Sequence, residues 1–293
     1  MKDPLVPQKP KISVVVPVYQ QWDQVPMLLR ALRNQTLPQD EFEVILVANE
    51  PVPQSFDATQ MRPNSCLEVC LTVGSYAARN HGVDQAQAAH IVFTDADCIP
   101  VPIWLATHLN AAERHPDHLW AGVVTMSPAP QSTLWSCYDE VRGIPQDRYV
   151  RGGYGACANL GVPRSALEAV GGFNSARLSG GDAEVCRSAG AKGYPIGLLN
   201  EAVVSHPARS SFNEISQKAR RIRGGQLRNG PIKRRILWGV ASFVPPVKET
   251  LRFAKVDAPL RKRFAAIAVL YLVWGIALVE TLRLVFGAAP ERR

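Results

Sequence analysis

Ile91-Val92-Phe93-Thr94-Asp95-Ala96-Asp97 reads as a buried strand that ends in two carboxylates. Ile91, Val92 and Phe93 are β-branched or aromatic, which suits a parallel strand covered on both faces. Asp95 and Asp97 fall at i and i+2, on the same side of an extended chain. Two such carboxylates repel each other unless a cation lies between them. Hard divalent cations prefer oxygen ligands and often bridge protein carboxylates to substrate phosphates. The stretch therefore suggests a metal–diphosphate site at the carboxyl end of a strand. It also suits a plain turn ahead of Pro100 and Pro102, and taken alone it leaves both readings open.

Upstream, residues 11–18 (KISVVVPV) form a buried strand closed by Pro17 and the Tyr19-Gln20-Gln21 loop. Residues 22–34 place Val25, Leu28, Leu29 and Leu32 at a helical period. Residues 43–47 (EVILV) are a second strand that breaks at Ala48-Asn49-Glu50-Pro51, and residues 66–73 are a third. Residues 76–88 read as a helix with Ser75 as its N-cap. Such alternation builds an α/β fold, a parallel sheet with right-handed crossovers. Ligands of these sheets sit beyond the carboxyl ends of the strands. Four polar clusters converge there: Tyr19-Gln20, Asn49-Glu50, Arg79-Asn80 and Asp95/Asp97.

Downstream, the pattern predicts a helix over 104–114, a strand over 120–127, a helix over 134–141 and a loop over 142–149. Residues 151–159 (RGGYGACAN) are Gly-rich, so backbone can approach a ligand closely, but they lack a dinucleotide or P-loop spacing. A short helix over 163–170 ends at Gly171-Gly172, Asp182 and Glu184 open another through Ala189, and residues 196–199 and 202–206 are strands.

The chain has 293 residues, 46% hydrophobic and 20% charged, with a formal net charge of +8, enough for one large α/β core and an appendage. Residues 1–11 are charged and Pro-rich with no apolar stretch, so no signal peptide is expected. The six cysteines are scattered; Cys66 and Cys70 lack a matching second pair, which argues against zinc. Unpaired-looking thiols without an export signal favour a reducing cytoplasm.

The stretches VVVPVYQQ, ARNHGVDQAQAAHIVFTDADCIPVPIWL, GACANLGVPRSALEAVGGFN and SGGDAEVC resemble, in order, those of a family 2 glycosyltransferase of the GT-A fold, over roughly residues 11–210. The resemblance implies a Rossmann-like, mostly parallel mixed sheet flanked by helices. It implies inverting transfer from a nucleotide-diphosphate sugar, with UDP as the prior, and Asp95-Ala96-Asp97 as the family's DXD motif. Asp97 would ligate a divalent metal (Mn or Mg) directly, with Asp95 nearer the ribose or holding metal-bound water. His206 resembles the late metal-ligating histidine. Asp182 matches the acidic catalytic motif and would be the base, although Gly181 stands where a Glu usually precedes it. Glu184 would be an acceptor-side or structural partner. Pro17 and Tyr19 would border the nucleotide. Ala48-Asn49 replaces the two acids usual after the second strand, so Asn49 would bond a uracil edge or Glu50 would replace the lost acid. Arg79 would reach the diphosphate or base.

From Lys218 to Arg235 eight basic residues occur with no acid between them. Residues 217–221 (QKARR) resemble the QxxRW motif of processive relatives with Arg221 in place of Trp, and Arg220 or Arg221 would clamp the diphosphate. Residues 236–247 are apolar but too short to span a bilayer. Residues 264–279 hold no charge and reach about 24 Å, flanked by Lys262, Arg263, Arg283, Arg292 and Arg293. The division expected is a catalytic domain over 1–213 and a basic, apolar helical region over 214–293. That region would be membrane-associated at an anionic cytoplasmic face, lying in the interface or marginally spanning; packing on the soluble domain or a dimer partner is the alternative. Nucleic acid fits worse, because the basic run leads into apolar helices and not stacking aromatics. The acceptor would be a hydroxyl of a lipid-linked or cell-envelope glycan. Two rival readings are a non-catalytic glycosyltransferase-like scaffold and a sugar nucleotidyltransferase. The second would need a basic Gly-rich loop that Val18-Tyr19-Gln20-Gln21-Trp22 lacks.

Overall fold

The computed structural model describes residues 9–62, 64–228 and 231–290. Residues 1–8, part of the stretch read as lacking a signal peptide, and Arg292 and Arg293, expected to flank the tail, lie outside the described residues. Among the described residues eight strands form one sheet: β1 (Ile12–Val18), β2 (Phe42–Ala48), β3 (Ser65–Val69), β4 (His90–Thr94), β5 (Ile99–Pro100), β6 (Leu119–Ser127), β7 (Asn159–Pro163) and β8 (Ile196–Pro207). Their order is β3-β2-β1-β4-β7-β6-β8-β5. The first four are parallel, β1 lying between β2 and β4 and β3 on the outer side of β2. β7 then runs antiparallel to β4 and to β6. β1, β2 and β4 are buried along their whole length, as their unbroken apolar runs require.

The helices are α1 (Val25–Arg33), α2 (Ser75–Gln85), α3 (Trp104–Arg114), α4 (Leu134–Arg142), α5 (Gln146–Arg151), α6 (Arg164–Val170), α7 (Gly181–Gly190), α8 (Phe212–Arg228), α9 (Ile232–Ala241), α10 (Val247–Lys255) and α11 (Leu260–Val285). Several boundaries differ from the sequence expectation for identifiable reasons. Ser75 does not cap α2: the N-cap is Gly74, at φ 119°, a conformation that favours glycine. The expected loop over 142–149 overlaps α5, whose Asp147 and Arg151 pair at i, i+4. β7 was not foreseen because its five residues (NLGVP) include Gly and Pro. The two strands expected over 196–199 and 202–206 are one, in which Asn200 and Glu201 are exposed.

The chain divides into two compact units: Met1–Thr125, Pro145–Ser175 and Asp182–His206 form the first, and Met126–Ile144, Ala176–Gly181 and Pro207–Arg293 the second. Compactness thus groups α4 with the C-terminal helices, unlike a single cut at 213/214. The reason is packing: Tyr138 and Val141 of α4 share a core with Phe253, Ala266, Val269 and Leu270. The first unit's core joins Val15, Ile45 and Phe93 of the sheet to Tyr76, Ala77 and Ala78 of α2 and to Phe173 and Val185.

Candidate active site

The loops after β1, β2, β3 and β4 meet at the carboxyl ends of those strands. The peptide N–H of Gln20 (2.5 Å) and Trp22 Nε1 (2.9 Å) donate to Glu50 Oε1, joining the loops after β1 and β2. Gln20 holds the single positive φ among described non-glycine residues, 54°, a conformation kept only where surrounding contacts over-determine it. Asn49 Nδ2 donates to the carbonyls of Cys70 (2.6 Å) and Thr72 (2.7 Å), while its Oδ1 accepts from Gly74 N (2.8 Å). Both of its N–H groups are therefore taken within the protein. The expectation that Asn49 bonds a base edge is corrected for donation: Asn49 fixes the β3–α2 loop. Pro17 is buried on β1 two residues beyond the last pairing with β4, where its missing N–H breaks no ladder there. Tyr19 is half-buried, and its hydroxyl accepts from Gln20 Nε2 (3.3 Å).

Asp95 and Asp97 lie just past β4, half-buried, with buried Ala96 between them. Arg79 Nη2 donates to Asp95 Oδ1 at 2.7 Å, and the Arg79 side chain is only 7% exposed. Asp97 Oδ2 accepts from Gln21 Nε2 at 2.7 Å and lies 3.7 Å from His206 Nε2. Sheet register accounts for the second contact. Ile99 pairs with Ser205 across β5 and β8, so His206 falls opposite Cys98, beside Asp97. Carboxylate oxygens of Asp95 and Asp97 and Cys98 Sγ lie within 4.8 Å of one another. Burial, reinforced by both carboxylates, pushes the Cys98 thiol well up. The two hard carboxylates, with the His206 imidazole beside them, fit Mn or Mg.

Asp182 sits in the first turn of α7, half-buried. Its Oδ1 accepts from Ala183 N (3.0 Å) and from Tyr76 Oη (3.4 Å). Desolvation pushes its carboxyl above the ordinary carboxylate range, against the pull of Arg79. The α2 helix links the acids: Tyr76 reaches Asp182, and Arg79, one turn on, reaches Asp95. Asn80 clips this helix in place by accepting from Phe173 N (2.8 Å) and donating to its carbonyl (2.7 Å). Glu184 is half-buried on the same helix as Asp182. The Gly-rich loop is held from below: Gln146 accepts from Ala156 N and donates to the carbonyls of Ala156 and Asn159. Arg220 and Arg221 belong to α8 in the second unit, where Arg221 Nη1 donates to the Leu178 carbonyl.

Gln21 and Tyr76 were not singled out from sequence, and no local signal marks them. Each touches its acid across 76 and 106 residues of chain.

Residues 13–154 match the family model described as Glycosyl transferase family 2. The chain is 28% identical over 250 residues to Glycosyltransferase AglE of Haloferax volcanii, covering 80% of this chain and 82% of that protein. A shorter match of 93 residues, 33% identical, is to Poly(ribitol-phosphate) beta-glucosyltransferase of Bacillus spizizenii, 30% of this chain and 15% of that one. Among solved structures, S. aureus TarS 1-349 in complex with UDP has TM-score 0.52 and 14% identity, over 95% of this chain and 92% of that one. Mannosyltransferase PcManGT from Pyrobaculum calidifontis, in complex with GDP-Man and Mn2+, has TM-score 0.58 and 16% identity, over 94% and 87%. At such identities the two structures speak for the fold alone. Fold and matches together point to a glycosyltransferase of the GT-A architecture. Within that class, the matched segment, just under half of the chain, and the long relative make the chain similar to family 2 glycosyltransferases.

Proposed function

We propose that the chain moves a sugar, with inversion, from a nucleotide-diphosphate donor, UDP-sugar favoured, to an acceptor hydroxyl of a lipid-linked or cell-envelope glycan. It does so at the cytoplasmic face of the membrane, with residues 1–213 carrying the chemistry. The observation that supports this reading best is Asp182: a desolvated carboxyl with raised proton affinity, joined through Tyr76 and Arg79 to the acids after β4. A base must accept the acceptor's proton as that oxygen attacks, and its pKa should lie nearer working pH than an ordinary carboxylate's. As the acceptor oxygen bonds the anomeric carbon, the bond to the diphosphate breaks, the proton passes to Asp182 and the nucleoside diphosphate leaves.

Asp95, Asp97 and His206 are the residues that would hold a divalent cation. Bound there, it would supply positive charge to the departing diphosphate. Gln21 orients the Asp97 carboxylate, and Arg79 fixes Asp95 while adding a permanent charge on the same side. Tyr19, Glu50 and the loop shaped by Asn49 border the nucleotide. The assignment of Arg220 and Arg221 to the diphosphate rests on the sequence pattern.

The test is transfer from radiolabelled nucleotide sugar by Asp182→Asn, with donor affinity measured in parallel. Loss of a general base predicts a fall in turnover of about 10²–10⁴ with donor affinity kept. Wild-type turnover in this variant would remove Asp182 as the base.

A further inference from the structure

Of the twenty-four large apolar residues exposed among the described ones, sixteen lie between positions 232 and 286, on or beside α9, α10 and α11. They include Leu237, Val240, Phe243 and Val244 near the end of α9, each more than half exposed. A cleft of about 370 Å³ opens between α9 and α11, lined by Ile236, Val240, Phe243, Leu282 and Val285. Ser242 ties the two helices: its carbonyl accepts from Trp274 Nε1 (2.9 Å) and its hydroxyl from Thr281 Oγ1 (3.0 Å). Around this face the chain is basic, with ten Lys or Arg and three acids between positions 231 and 290. Two of those acids are paired within their own helices, Glu249 with Arg252 and Glu280 with Arg283.

By length and composition α11 qualifies as a membrane span: 26 residues, with a mean hydropathy of 2.1 in its most apolar window. Its packing decides otherwise. Near the start of α8, Ile215 shares a core with Ala266, Val269 and Leu270 of α11. Near the end of α8, Gly224 lies against Pro290 and Arg228 Nη2 donates to the Ala288 carbonyl (2.9 Å), both just past α11. The two helices therefore run side by side for most of their length. α8 carries Glu214, Lys218, Arg220, Arg221, Arg223 and Arg228. Lys218 and Arg209 hold Asp139 of α4, and Lys262 at the start of α11 pairs with Glu140. An α11 set across the bilayer would carry this row of charges to hydrocarbon depth, where ionised side chains are strongly disfavoured.

We infer that α9, α10 and α11 form a docking face for an anionic phospholipid surface that enters one leaflet only, with α11 in the plane of the membrane. The apolar side chains sink below the headgroups, the surrounding Lys and Arg meet lipid phosphates, and the α9–α11 cleft takes a lipid chain. The charged α8 and α4 then stay on the aqueous side of α11. This geometry rests on the membrane association proposed above, and the experiment separates the two.

The full-length protein is floated with phosphatidylcholine vesicles with and without phosphatidylglycerol. Asp257→Cys and Ala289→Cys proteins, at exposed positions just before and just after α11, are then labelled on sealed vesicles with a membrane-impermeant maleimide. The unsubstituted protein gives the background from native thiols. The expected result is flotation with anionic vesicles that weakens in high salt, with both ends labelled equally from outside. Leu237→Glu with Val244→Glu, at exposed positions outside the core, should cut vesicle partitioning by about tenfold or more without changing the thermal midpoint. Absence of flotation, with the protein self-associating through this face instead, would overturn the membrane association itself. Flotation with only one end of α11 labelled would leave association standing and overturn the one-leaflet geometry.

Discussion

Lowering the pH from 8 to 5 should destabilise the sheet that carries the active site, through two buried histidines. His90 opens β4, the strand that leads to Asp95, and His108 lies on α3; their rings are 6.4 Å apart, and neither is more than 6% exposed. Burial, with His108 nearby, pushes His90 down from 6.5 to about 3; burial pushes His108 down to about 4, although its Nε2 donates to Asn159 Oδ1. Both folded-state values lie below the unfolded ones, so the unfolded chain binds more protons and stability is lost as pH falls below 6.5. Each pH unit costs about 1.4 kcal/mol per histidine while the folded ring stays neutral. At pH 5 that is about 2 kcal/mol each and about 4 kcal/mol together, a large share of the roughly 5–15 kcal/mol typical of a domain. The raised Asp182 works in the opposite direction. Urea unfolding followed by far-UV circular dichroism at both pH values measures the change, and His90→Leu should retain about half of it. Equal midpoints at pH 8 and pH 5, with equal m-values, would mean that the two histidines do not oppose folding in acid.

Asp182→Asn should raise the thermal midpoint even as it stops transfer, because a carboxyl whose folded pKa is raised opposes folding in its charged form. In the wild type, the acidic limb of kcat should lie above the range of an ordinary carboxylate; a limb at pH 4 or below counts against Asp182 as the base. Chelation, or Asp97→Ala, should weaken nucleotide-sugar binding in calorimetry, and unchanged affinity in both removes Asp97 as a ligand. In the second unit, burial alone would raise the Asp139 carboxyl, but Lys218, Arg209 and the Arg209 N–H hold it well below the usual range. Burial beside Arg142 and Arg209 already lowers the proton affinity of Lys218, so Asp139→Ala, which removes the acid that Lys218 and Arg209 share, should cost up to about 3–5 kcal/mol, seen as a lower midpoint; the loss should shrink only in strong acid, as the wild-type carboxylate itself is protonated.

The strands that are buried on both faces and the acids at the end of β4 are legible in the amino-acid sequence. Continuous apolar runs and a carboxylate at every second residue are local patterns, readable without knowing what lies across the sheet. The antiparallel half was harder to read: β7 is short and broken by Gly and Pro, and it is a strand because β4 pairs with it. Asn159 shows the same limit. It is an ordinary polar residue in sequence, yet it accepts from Trp104 Nε1 and His108 Nε2 and donates to the carbonyls of Val123 and Ala202, joining four parts of the fold. Tertiary structure alone set Gln21 beside Asp97, turned the Asn49 amide inward, and laid the charged α8 along an α11 apolar enough to cross a bilayer. Hydrogen bonds and packing between residues far apart in sequence depend on how strands register and helices dock, and local patterns do not carry that information.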